Sequence, residues 1–228
     1  MGGPAIVDIN TGYIRDGTYG LSNLFSMMHK GSEIFTDEDF RFYGETINTL
    51  KDTISSLFGL DELFFTAPTF ITRLDGRSDW EPAEVHDEYW HPHVDRENTP
   101  HYFYSGLLYL STYKEDFEGG RFVLLGDVEG EEDGVVTKEE ELVVEPRAGR
   151  VVIFSSGQEH EHYVERLTSG TRYVLAFWFT CDASRKFEIY LDGSAHTRFA
   201  HEMGDQLERR EHRQKHDQTR QHNGMDDL

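Results

Sequence analysis

Three side chains with metal-binding chemistry stand in an informative order. His93 and Asp95 are separated by one residue in the run Tyr89-Trp-His-Pro-His-Val-Asp95, and His162 follows well downstream. On a strand, side chains alternate faces, so His93 and Asp95 are expected to project together. A second imidazole from His162 on a facing strand would complete a two-histidine, one-carboxylate set with open coordination positions, an arrangement that suits non-haem iron(II). His91 and His160 each stand two positions before a candidate ligand and share its strand face. Both are expected to be supporting or surface groups; were His160 the distal ligand, the spacing at His162 would be accidental.

A permanent positive charge follows the second histidine. The stretch Gly149-Arg-Val-Val-Ile-Phe154, then His162, then Thr168-Ser-Gly-Thr-Arg172-Tyr-Val-Leu-Ala-Phe-Trp-Phe179 reads as strand, turn and strand. If Val164 and Arg172 lie on consecutive antiparallel strands joined at Ser169-Gly170, the return strand brings the Arg172 guanidinium back toward the metal end. Its planar fork matches a carboxylate. The alternative is an ordinary surface ion pair.

The elements that must position these groups are legible in outline. Thr36 caps a helix with Asp39 three positions on, and apolar or aromatic residues recur at Tyr43, Ile47, Leu50, Ile54 and Leu57 until Gly59 ends it. Strand signals then take over, in 63–66 and 69–73 around Pro68, and in 105–112, 121–125, 142–144, 151–154 and 173–179. Many short strands at such spacing mean a sandwich or closed barrel. The acidic, glycine-punctuated stretch 126–141 is too polar to pack and reads as a surface loop, or as a lid for a cationic substrate. From Gly204 the chain is rich in helix formers yet almost devoid of apolar residues, so it can coil without burying a face. His212, His216 and His222 therefore read as solvated rather than metal-binding.

Composition narrows the function classes. A chain of 228 residues allows one substantial core. A formal net charge of -21 argues against binding bare nucleic acid, since phosphate backbones attract clustered Lys and Arg. The lone Cys181 cannot form an internal disulfide and leaves the compartment undecided. No run of about 18 or more apolar residues exists, so no membrane span is expected within the chain. The start, Met1-Gly-Gly-Pro-Ala, shows no signal peptide; the soluble part of a membrane-anchored protein stays an open possibility.

Taken together, His93-Val-Asp95, Tyr104-Ser-Gly-Leu-Leu-Tyr-Leu-Ser111, Glu118-Gly-Gly-Arg-Phe122, Pro146-Arg-Ala-Gly-Arg-Val-Val-Ile-Phe154 and His162 through Arg172 resemble the prolyl 4-hydroxylase-like 2-oxoglutarate and Fe(II)-dependent dioxygenases. The pieces follow that family's order over roughly the second half of the chain. The resemblance implies a mainly β fold with supporting helices, a double-stranded β-helix (jelly roll) with an N-terminal helical buttress. Residues 1–66 would be the helical support, 67–182 the catalytic core and 183–228 a C-terminal extension with a charged tail. It further implies His93, Asp95 and His162 as ligands of Fe(2+), Arg172 as partner of the distal carboxylate of 2-oxoglutarate, and Tyr109 as a cosubstrate contact. A core role for Tyr109, within the apolar run Leu107–Leu110, is the competing reading.

The implied reaction is hydroxylation of a C–H bond, in a protein or peptide substrate, with dioxygen consumed, succinate and carbon dioxide released, and L-ascorbate as reductant. One departure stands out: where many relatives carry a tyrosine, this chain reads Thr72-Arg-Leu-Asp-Gly76. That departure and the charged tail are the best support for a different class, a catalytically silent jelly-roll scaffold. A zinc hydrolase on the same ligands would need an acidic general base beside the metal water. Trp80, Tyr89, Trp90 and Tyr102 could line a substrate mouth or simply pack.

Overall fold

A computed structural model describes residues 4–16, 20–30, 34–76, 82, 88–126, 141–188, 197 and 199. In chain order they form strands β1 (Ala5–Asp8), β2 (Tyr13–Asp16) and β3 (Gly20–Asn23), helices α1 (Leu24–His29) and α2 (Asp37–Phe58), and the long strand β4 (Phe64–Asp75). A one-turn helix α3 (Asp95–Asn98) precedes β5 (Tyr104–Tyr109), β6 (Phe117–Gly119), β7 (Phe122–Leu124), β8 (Leu142–Val144), β9 (Val151–Ser155), β10 (His162–Val164) and β11 (Leu167–Thr180). A major antiparallel sheet runs β3-β2-β1-β4-β11-β5-β9, with β6 on the first residues of β11, and a minor sheet runs β10-β7-β8. This is the jelly roll expected, with the minor sheet facing the β4-β11-β5-β9 half of the major one. No helix among the described residues is long and apolar enough to cross a membrane.

Helix α2 buttresses the back of the major sheet for reasons the sequence states. Thr36 and Asp39 close a reciprocal capping box, and Gly59 ends the helix in the left-handed conformation, φ 62°, that costs glycine nothing. Its buried stripe, Ile47 and Ile54 with Tyr43 and Leu50 beside them, packs on Leu63, Phe65, Leu175, Phe177 and Phe179. The stripe stops there: Leu57, in the last turn, is 75% exposed.

Three features depart from expectation. The segment 1–66 is more than helical support, because β1–β3 extend the major sheet beyond β4; strands of four residues are too short to show a period. Pro68 does not divide two strands. It lies in β4 between Phe65 and Thr69, where the register with β11 shifts, so its missing N–H interrupts no ladder bond. Finally, Ser169-Gly170 is not a hairpin. Gly170 sits inside β11 with φ 75°, where a Cβ would stand 2.1 Å from the Asp116 carbonyl oxygen. The chain instead runs on from β10 into β11 through Glu165 and Arg166 without reversing, pairing antiparallel first with β7 and then with β6, and β10 and β11 belong to different sheets.

The extension after residue 182 starts docked on the body. Glu188 accepts from Lys51 Nζ (2.5 Å) and from the Phe65 amide (3.0 Å). The aromatic ring of Phe199 lies 5.4 Å from that of Phe25. Within the acidic stretch, residues 127–140 lie outside the described residues, as do Trp80 and the tail with His212, His216 and His222.

Candidate metal centre

His93 and His162, far apart in sequence, are joined through their backbones. Each amide donates to the other's carbonyl, at 2.9 and 3.0 Å, in an antiparallel bridge that adds His93 to the edge of the minor sheet beside β10. Their imidazole centroids are consequently 4.4 Å apart. Asp95 arrives by a different route from the strand alternation expected. Val94 is extended, and Asp95 opens α3, so the turn into the helix carries the carboxylate to the same side. His93 Nε2 lies 3.7 Å from Asp95 Oδ1, and His162 Nε2 lies 3.9 Å from Oδ2. One ligand atom from each of the three falls within 4.8 Å of the others.

Hydrogen bonds prepare these groups to bind a cation. His93 Nδ1 donates to the His91 carbonyl (3.1 Å) and His162 Nδ1 to the His160 carbonyl (2.9 Å). A carbonyl only accepts, so in both rings the proton is on Nδ1 and the Nε2 lone pair faces Asp95. Burial holds the His162 pKa below its usual value, with Asp95 opposing, which favours the neutral imidazole a metal requires. Asp95 Oδ2 accepts from Ser105 Oγ (2.5 Å) and Trp178 Nε1 (2.9 Å). Because Ser105 spends its proton on the carboxylate, Ser156 must supply the proton in the 2.7 Å Ser105–Ser156 contact. That leaves Oδ1 for the cation.

The three residues line a cavity of about 660 Å³ that Arg172 also lines. Strand β11 sends Arg172, Val174, Ala176 and Trp178 to this side by its alternation, and β4 sends Phe70, Thr72 and Leu74. Arg172 is 2% exposed, yet its Nε and Nη2 have no hydrogen-bond partner among the described residues. Burial pushes its pKa down, against the pull of Tyr109. A guanidinium stays charged regardless, so the unmet charge persists until an anion arrives.

The other expectations sort as follows. Tyr109 is fully buried, packs with Phe122, Phe154 and Val174, and lies with its ring centroid 5.4 Å from the Arg172 guanidinium. It is a core tyrosine whose hydroxyl nonetheless has no hydrogen-bond partner among the described residues. His91 Nδ1 donates to the Glu88 carbonyl, and His160 Nδ1 is bonded within Ser155; neither ring joins the cluster. Tyr89 lines the cavity and accepts from the Leu167 amide at 3.1 Å, while Trp90 packs on Tyr89 at 5.0 Å. Tyr102 stacks on Trp178, with centroids 5.3 Å apart.

Sequence reasoning missed Trp178, Ser105 and Ser156. The signal for Trp178 was its even offset from Arg172, which puts both on one strand face. Replacing Trp178 with phenylalanine keeps the ring and removes one donor to Asp95. Metal affinity is expected to fall roughly 10- to 100-fold, as for other changes that orient a ligand, read by isothermal titration with iron(II) or manganese(II).

The chemistry of this donor set fits iron(II), and the buried cation fits a carboxylate. Residues 82–180 match the 2OG-Fe(II) oxygenase superfamily. The human 2-oxoglutarate and iron-dependent oxygenase domain-containing protein 3 is 39% identical over 189 residues, 82% of this chain and 55% of its own length. Human prolyl 3-hydroxylase 2 is 40% identical over 79 residues, 35% of this chain and 10% of its own. A solved oxidoreductase of the 2OG-Fe(II) oxygenase family from Burkholderia pseudomallei is 23% identical with a TM-score of 0.44, over 63% of this chain and 59% of that one. The chain spans about half the length of the first of these relatives.

Proposed function

The chain belongs to the 2OG-Fe(II) oxygenase superfamily, and on that premise we propose that it is an iron- and 2-oxoglutarate-dependent dioxygenase that hydroxylates a C–H bond of a protein side chain. The observation that carries the proposal is the pairing, in one cavity, of a two-histidine, one-carboxylate cluster with a buried guanidinium whose Nε and Nη2 have no hydrogen-bond partner among the described residues. His93, Asp95 and His162 would hold the metal, and Arg172 would meet the distal carboxylate of 2-oxoglutarate. When bound, the metal and 2-oxoglutarate supply the oxidising power, with dioxygen consumed and succinate and carbon dioxide released.

The chain's own part is to orient and to shield. Ser105 and Trp178 hold the Asp95 carboxylate in one rotamer, and the two backbone carbonyls fix both imidazole tautomers. Phe122, Phe154 and Val164 wall the His162 side of the cavity with apolar surface, which excludes water. A peptide substrate and L-ascorbate as reductant belong to the proposal through family resemblance. The test is release of labelled carbon dioxide from 2-oxoglutarate labelled at its first carboxylate, in the presence of iron(II) and ascorbate. Slow release without any prime substrate is expected. Absence of release, together with absence of an iron-dependent thermal shift, would overturn the proposal.

A further inference from the structure

The cavity does not end at the His93, Asp95 and His162 cluster. Phe70 and Ile6 line it, and both also line a second groove of about 410 Å³ with Asp8, Tyr13 and Pro68. Register explains the continuity. Phe70 of β4 is paired with Ala176 of β11 on one side and with Asp8 of β1 on the other, and Asp8 is paired with Tyr13 of β2. Directly paired residues point to the same face, so the face that bears the metal cavity continues over β1 and β2. The opposite face of these strands, with Val7, Ile9 and Ile14, is packed on α1 and α2 and leaves the front one outward.

The continuing face exposes mainly apolar area from Ile6, Tyr13, Pro68 and Phe70, with Asp8, Thr11, Arg15 and Asn23 also lining it. Trp178 meets Phe70 edge-on at 5.3 Å, and Ile6 and Pro68 carry the apolar surface to Tyr13, which is 42% exposed. The turn joining β1 to β2 is held by Asp8, whose carboxylate accepts from the Asn10 amide (2.9 Å) and from Thr11 Oγ1 (2.7 Å). Such a surface is preorganised, so docking there costs little ordering.

We infer that the β1–β2 face is the docking groove for the substrate polypeptide beside its reacting residue, and that it selects an apolar side chain at a fixed offset. The inference rests on the hydroxylase reading. From β11, which touches the metal cluster through Trp178, to Tyr13 on β2 is three strand spacings of about 4.8 Å, or roughly 14 Å. An extended peptide advances about 3.3 Å per residue, so the selected apolar residue stands about four positions from the hydroxylated one. Apolar area on the groove supplies the affinity, and the occupant is a second polypeptide rather than a second copy of this chain, because the groove shares Ile6 and Phe70 with the cavity that holds the His93, Asp95 and His162 cluster.

Two measurements on the full chain test this. In the first, p-benzoylphenylalanine replaces Tyr13, and the protein is irradiated with a pool of peptides about eleven residues long, long enough to span the groove, with proline or lysine at the centre and the other positions randomised. Crosslinked peptides enriched in Leu, Ile, Met or Phe about four positions from the centre are expected. Crosslinks without enrichment at a fixed offset, or confined to the chain itself or a second copy, would overturn the inference. In the second, Tyr13→Asp is expected to lower the ratio of peptide-dependent to peptide-independent 2-oxoglutarate turnover about tenfold, a ratio that general loss of folding or of metal does not move. An unchanged ratio would also overturn it. Enriched crosslinks with no turnover by the unsubstituted protein would leave the groove standing and remove the hydroxylase reading; turnover with no enrichment would do the reverse.

Discussion

Substituting His93 with alanine is expected to abolish iron binding and 2-oxoglutarate turnover together. The ring supplies one of three protein ligands, and the loss should go well beyond the roughly 10- to 100-fold that changes behind a ligand cost. The variant should fold. The His93 side chain is 30% exposed, so its removal opens no closed core cavity, and the backbone bridge to His162 does not use the side chain. Calorimetric titration with iron(II), alongside labelled carbon dioxide release, checks both halves. Asp95→Asn sharpens the result: its amide oxygen can still accept from Ser105 and Trp178, so loss of iron binding there isolates the carboxylate's charge from its place in the network. Retention of iron binding by both variants would exclude this cluster as the metal centre.

Arg172 should behave differently, in two opposing ways. In Arg172→Met the 2-oxoglutarate concentration for half-maximal turnover is expected to rise roughly 30- to 1000-fold, or about 2–4 kcal/mol, while iron binding persists. The same substitution should raise the melting temperature of the protein without 2-oxoglutarate by a few degrees. It replaces a buried guanidinium whose Nε and Nη2 have no partner among the described residues by apolar volume, a kind of change that stabilises by up to about 1–4 kcal/mol. The thermal shift that 2-oxoglutarate gives the unsubstituted protein should vanish. A variant that is destabilised without ligand and still stabilised by it would show that Arg172 has a structural partner and no role toward the carboxylate.

The site was more legible in the sequence than the route by which it is assembled. His93, Asp95, His162 and Arg172 are residue types whose chemistry narrows their use, so order and spacing were enough to single them out. The geometry behind them was not. Asp95 reaches the cluster by opening α3, and Arg172 reaches the cavity from the middle of a fourteen-residue strand rather than just after a hairpin. Gly170 misled because a positive-φ glycine marks a close backbone approach as readily as a turn. Trp178 escaped notice because a tryptophan in a strand is ordinarily core, and its indole N–H acquires meaning only once Asp95 is beside it. Strands β1–β3 were missed since pairing with β4, not their own periodicity, makes them strands.

The two donors on Asp95 Oδ2 have a consequence for ion choice. With that oxygen engaged by Ser105 and Trp178, the carboxylate can offer a cation only one tooth. Calcium prefers six to eight oxygens at about 2.3–2.6 Å and often takes a carboxylate through both of its oxygens. Two imidazole nitrogens and a single carboxylate oxygen serve it poorly, while borderline transition ions are content with them. The serine and the indole therefore act as a filter against calcium, so that a large excess of it is expected to leave the centre open to iron.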